Sequence, residues 1–122
     1  MSDTENTEEE ILAIDFMGYM FTKQYFEKYW FASDELRKLA EWWKFDEVIR
    51  KGWTPDEMVA LMDAAGVEKH CMMQFKMKSY KEDRIIIDVT DEEMAEVIEA
   101  HPDRFIGFAG INPILGMDGV RA

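Results

Sequence analysis

Apolar and polar positions divide the chain into two kinds of stretch, dense apolar runs and helical stripes. Residues 11–20 (ILAIDFMGYM) are too short for a typical helix and predict a first strand, buried on both faces. Thr54-Pro55-Asp56-Glu57 predicts a helix start: the threonine caps, the proline takes the first helical position and Glu57 completes a capping box. Met58, Leu61, Met62 and Ala65 then make one apolar stripe, which Gly66 ends. Residues 67–75 read as a second strand. Thr90-Asp91-Glu92-Glu93 repeats the capping box ahead of a stripe of Met94, Val97, Ile98 and His101, stopped by Pro102. Residues 104–113 (RFIGFAGINP) predict a third buried strand containing Gly107 and Gly110, and residues 116–122 open a helix of about a turn and a half.

Between these elements the pattern changes. Residues 21–53 crowd Tyr25, Phe26, Tyr29, Trp30, Phe31, Trp42, Trp43, Phe45 and Trp53 among charged side chains. Ser33 is placed to cap, Asp34 and Glu35 suit a first turn, and Leu36, Leu39, Ala40 and Trp43 recur at helical spacing. The segment reads as helices that fold over something. Residues 76–84 are polar, and Ile85-Ile86-Ile87-Asp88-Val89 is extended in propensity, a strand or only a connecting segment. Residues 2–10 carry five acidic residues and no large apolar one, which predicts a disordered acidic leader over residues 1–10.

Strands alternating with helices predict an α/β fold with parallel strands and right-handed crossovers. Three parallel strands leave two unpaired edges and one poorly covered face, so the expected behaviour is association with more sheet, as a homo- or hetero-oligomer or within a larger chain. Composition narrows the partners. Against 14 Lys and Arg stand 26 Asp and Glu, a formal net charge of −12, which disfavours nucleic acid and anionic membrane surfaces. No apolar run approaches the roughly 18 residues of a membrane span and the start lacks a signal-peptide pattern, so a cytoplasmic location is expected. The single cysteine, Cys71, agrees with a reducing compartment.

The run TPDEMVALMDAAGV (residues 54–67), followed by AHPDRFIGFAGINP (residues 100–113) and Gly116-Met117, resembles the amidohydrolase-related family of metal-dependent TIM-barrel hydrolases and decarboxylases. That group includes aminocarboxymuconate semialdehyde decarboxylase and the resorcylate decarboxylases. The resemblance spans residues 11–122 and implies a (β/α)8 barrel with its active site at the C-terminal strand ends, a fold of about 250 residues. The chain would supply a partial TIM barrel, about the first three strand–helix units. Residues 21–53 would then be a lid-like insertion after the first strand. The family chemistry is hydrolysis or nonoxidative decarboxylation of a small carboxylated substrate, assisted by a divalent metal, Zn or Mn.

The family's first strand ends in Asp-x-His-x-His, because residues two apart on a strand point the same way and bring both imidazoles to one ion. Aligned on Ile14-Asp15, this chain has Met17 and Tyr19 at those positions. A thioether suits soft Cu(I), and a phenol keeps its proton at neutral pH. Neither replaces a histidine ligand. Asp15 shares the face of Met17 and Tyr19 by alternation and reads as a buried carboxylate bonded to the barrel wall. His70 reads as a packing or surface residue, His101 as a helix cap, Cys71 as a buried thiol and most of the ten methionines as core filling. No catalytic residue is assigned, and this chain alone is expected to be inactive. Tyr19, Trp30 and Asn112 lie nearest the expected mouth and are the candidates for substrate contact. The alternative is a non-catalytic pseudoenzyme or split-barrel subunit that binds a partner chain carrying the remaining strands.

Overall fold

In chain order the elements are β1 (Ala13–Gly18), α1 (Lys23–Tyr25, continued by a π-helical turn, Phe26–Trp30), α2 (Asp34–Trp42), α3 (Asp46–Lys51), α4 (Pro55–Ala65), β2 (Val67–Met73), β3 (Lys76–Ser79), β4 (Arg84–Asp88), α5 (Asp91–Ala100), β5 (Phe105–Phe108), a 3-10 turn (Pro113–Leu115) and α6 (Met117–Arg121). They come from a computed structural model that describes residues 12–121. The predicted acidic leader lies outside the described residues.

The helix starts follow local chemistry. Both predicted capping boxes form: Thr54 accepts from the Glu57 N–H while the Glu57 side chain returns to Thr54 N–H, and Thr90 with Glu93 does the same. Gly66 ends α4 in the left-handed conformation, φ 73°, where a side chain would be strained. Ser33 caps α2 by accepting from the Leu36 N–H.

β1, β2 and β5 form one parallel sheet in that order, with β3 and β4 set apart from it. One face is covered. His70 stands opposite Phe105 in register, with the rings edge to face at 6.2 Å, and a side chain at Gly107 would strike Ile98 and Met94 of α5. Met58 and Met62 of α4 close on the same side of His70. The opposite face is open: Ile14, Phe16, Ile106 and Phe108 are exposed, Phe16 at 69%, and Phe16 leans on Phe108 with ring centroids 5.7 Å apart.

Two expectations are corrected here. β1 is not buried on both faces, because it is an edge strand with helices on one side only. Residues 85–89 are not merely a connection, because Arg84–Asp88 is a strand that pairs antiparallel with Lys76–Ser79 of the polar stretch as a separate two-stranded sheet. Its turn uses Asp83 at φ 53°, a conformation that aspartate tolerates better than most residues. Ile86, Ile87 and Val89 sink into the core beside Phe26, Leu36 and Met72, which is why so apolar a strand follows so polar a one.

Candidate functional site

In parallel sheets, ligands bind beyond the C-terminal ends of the strands. Here those ends are Gly18, Met73 and Phe108, and Gln74 ties the chain leaving β2 to the chain leaving β5. Its side-chain oxygen accepts the Gly110 N–H at 2.7 Å, its amide nitrogen donates to Asp91 at the start of α5, and its backbone N–H donates to Phe108. Gly110 has to be glycine, since a Cβ there would lie 2.2 Å from the Gln74 carbonyl oxygen.

Above β1 and β2 lies a cavity of about 300 Å³. Tyr19 and Phe75 enter it from the strand ends, Trp30 and Phe45 from the lid segment, and Met77 and Ile87 from the β3–β4 hairpin. The walls are held by aromatic edges: Tyr19 meets Phe75 at 5.5 Å and Trp30 meets Phe45 at 5.7 Å. Tyr25, also on the wall, is buried, and desolvation pushes its hydroxyl up to about 12 although the neighbouring Trp30 indole works the other way. Trp30 is 9% exposed, and its buried indole N–H makes no hydrogen bond among the described residues.

The lid is fastened on two sides. The Tyr29 hydroxyl lies 2.7 Å from the Asp88 carbonyl and 2.9 Å from Glu93 Oε2, and Lys28 pairs with the same glutamate. Burial above all, then the hydrogen bond to Glu93, raises Tyr29 to about 12. On the other side Glu82 of the hairpin turn receives the Ser33 hydroxyl, and Arg84 donates to the Ala32 carbonyl.

Two of the three candidate contact residues, Tyr19 and Trp30, therefore line one cavity. Asn112 does not join them: it is buried at the start of the 3-10 turn, where its Oδ1 accepts the Ile114 N–H at 3.0 Å. Period-two alternation also fails in β1. The β1–β2 register shifts between Asp15 and Gly18, leaving Phe16 and Met17 both exposed, Met17 at 66%. Asp15 faces His70 instead of sharing a side with Met17, and it is partly exposed, not buried.

The residues at the family's ligand positions do not fit a divalent ion. Met17 is turned out by the bulge, Tyr19 packs its ring on Phe21 and Phe75, and Asp15 binds His70. Among the described residues no three His, Cys, Asp or Glu side chains converge as a metal site.

His70 has a structural task. Its Nε2 lies 3.0 Å from the Tyr19 carbonyl and its Nδ1 2.9 Å from Asp15 Oδ2. The histidine thereby fixes where β1 ends and Tyr19 begins. His101 is the C-cap of α5, with Nε2 2.6 Å from Asp56, and Cys71 is buried. Sequence reasoning missed the Asp15–His70 pair, the Gln74 tie and the Glu82 clasp. All three join residues far apart in the chain, and only Gly18, which leaves space for the His70 ring, hinted at one of them. No helix among the described residues is long and apolar enough to cross a membrane. Comparison of the chain with protein-family models, curated proteins and solved structures finds no match in any of the three.

Proposed function

We propose that this chain is the N-terminal arc, about three strand–helix units, of an amidohydrolase-like (β/α)8 barrel that acts by hydrolysis or decarboxylation on a small carboxylated substrate. In this role the arc contributes a wall and a lid to the substrate site and no metal ligand. The observation that carries the reading is the open apolar face of the parallel sheet. Ile14, Phe16, Ile106 and Phe108 point away from the helices, as the inward-facing residues of barrel strands do, and among the described residues β1 and β5 each leave one edge unpaired. The order β1-β2-β5, the helices on one face and the aromatic segment at the C-terminal strand ends agree with it.

A specific observation favours a second reading. With Met17 and Tyr19 where the family has histidines, the arc is equally suited to a pseudoenzyme or split barrel whose partner chain supplies the remaining strands.

The test is the behaviour of the chain alone in solution, by light scattering with chromatography and by binding of a dye that reports exposed apolar surface. Self-association with strong dye binding is the expected result. A monomer that unfolds cooperatively and binds no dye would overturn the barrel reading.

A further inference from the structure

We propose that the cavity between the strand ends, the lid and the hairpin binds a neutral, flat aromatic molecule of about two fused rings, with a hydrogen-bond acceptor for the Trp30 indole N–H. This inference needs only the walls of that cavity and stands apart from the barrel reading, whose carboxylated substrate would have to keep its charge outside these walls.

Size sets the first limit. An apolar cavity of about 150 Å³ accommodates benzene, so about 300 Å³ suits a bicyclic ring system. The lining sets the second. It is aromatic and aliphatic, with no Lys, Arg, Asp or Glu on the wall. A charged group entering it would lose its hydration with nothing in return, so the buried part of the ligand is uncharged. The faces and edges of Tyr19, Phe45 and Phe75 give planar rings a surface to stack on.

Trp30 supplies direction. An indole can only donate, and a buried donor without a partner is costly. Trp30 Nε1 makes no hydrogen bond of good geometry among the described residues, although it lies close enough to the Tyr25 hydroxyl to pull that group's pKa down against burial, and its side chain lines the cavity. A ring nitrogen or carbonyl oxygen on the ligand would satisfy it, and the Tyr25 hydroxyl beside it offers a second polar contact.

Three probes of one shape separate these requirements: quinoline, with an acceptor nitrogen; naphthalene, with none; and 2-naphthoate, with a charge. Calorimetric titration of the full chain is expected to show one quinoline site per chain, about threefold to tenfold tighter than naphthalene, with 2-naphthoate weakest. Trp30→Phe keeps a ring and removes the donor, and should bring quinoline down to the naphthalene level. Leu39→Trp fills the cavity from its wall and should abolish binding of both. Should Trp30→Phe fail to fold, the indole amide signal of Trp30 in the unmodified chain is read instead. It should move downfield with quinoline and far less with naphthalene. Equal affinity for quinoline and naphthalene, tightest binding of 2-naphthoate, no saturable site, or full binding in Leu39→Trp would each overturn the proposal.

Discussion

The hydroxyl of Ser33 donates to Glu82 across 2.6 Å, joining the start of α2 to the turn between β3 and β4. The same carboxylate oxygen accepts the Glu35 N–H at 2.8 Å, so one side chain from the hairpin completes the cap of a lid helix 47 residues away. Ser33 is fully buried and also accepts from the Leu36 N–H. Ser33→Ala removes both bonds and should cost about 1–2 kcal/mol, read as a lower urea midpoint with unchanged slope.

Glu82 makes that clasp sensitive to acid. The Ser33 hydroxyl, and after it the Glu35 N–H, hold its carboxyl below the ordinary value of 4.5. In acid the unfolded chain takes up a proton that the folded chain still refuses, so the unfolded state binds more protons and stability drops as the pH is lowered. The contribution is complete above about 4.5 and is lost as pH drops through the lower folded value. Glu82→Gln should be less stable than the unmodified chain at neutral pH, and the gap should narrow in acid. Urea melts at neutral pH and at about pH 3 measure it, and a gap that does not change would refute the clasp.

At the alkaline end the sign reverses. Burial raises the Tyr25 hydroxyl from 10.0 to about 12. Between those values the unfolded chain has lost a proton that the folded chain retains. Stability is intact below about pH 10 and declines towards pH 12, by about 2–3 kcal/mol for this group. Tyr29 adds a smaller loss of the same sign, screened by solvent. Tyr25→Phe should remove the larger part of the alkaline decline, which melts on either side of pH 10 would show.

How far the sequence forecasts this architecture depends on the range of the interaction. Thr54 with Glu57, Thr90 with Glu93, Ser33 and Gly66 act within one helical turn, and each forms as its spacing predicts. The β3–β4 hairpin was hidden because Lys76 and Lys78 look solvated. Lys76 in fact pairs with Asp88 across the hairpin at 2.7 Å, a partner that appears only once the strands are in register. The bulge at Phe16 and Met17 is equally a matter of cross-strand register, and alternation along one strand cannot reveal it. Tyr19 and Trp30 reach one cavity because the lid folds back over β1, whereas Asn112 is engaged by its own turn two residues on.

Gly18 tests the join between β1 and β2. A Cβ there would lie 2.1 Å from the His70 ring, which is itself held by Asp15 and the Tyr19 carbonyl. The ring cannot yield without giving up one of those partners. Gly18→Ala should destabilise by about 1–3 kcal/mol, as overpacking does, and hydrogen exchange should accelerate at β1 before it does at β5. Exchange that rises equally in all three strands would mean that β1 holds no independent place in the sheet.

The open face of the sheet yields the last prediction. Phe16 and Ile106 project from it with most or much of their apolar surface in water, and Phe16 leans on its neighbour Phe108 across the face. Replacing an exposed apolar side chain loses little burial, so Phe16→Lys with Ile106→Lys should leave the unfolding free energy from urea melts within about 0.5 kcal/mol if nothing covers this face. Adding two positive charges to a surface that other strands would bury should instead abolish self-association, because a charge at the centre of an apolar interface has no compensating partner. Light scattering should therefore report a smaller species for the double variant than for the unmodified chain. If both associate alike, the contact lies elsewhere than on the open sheet face.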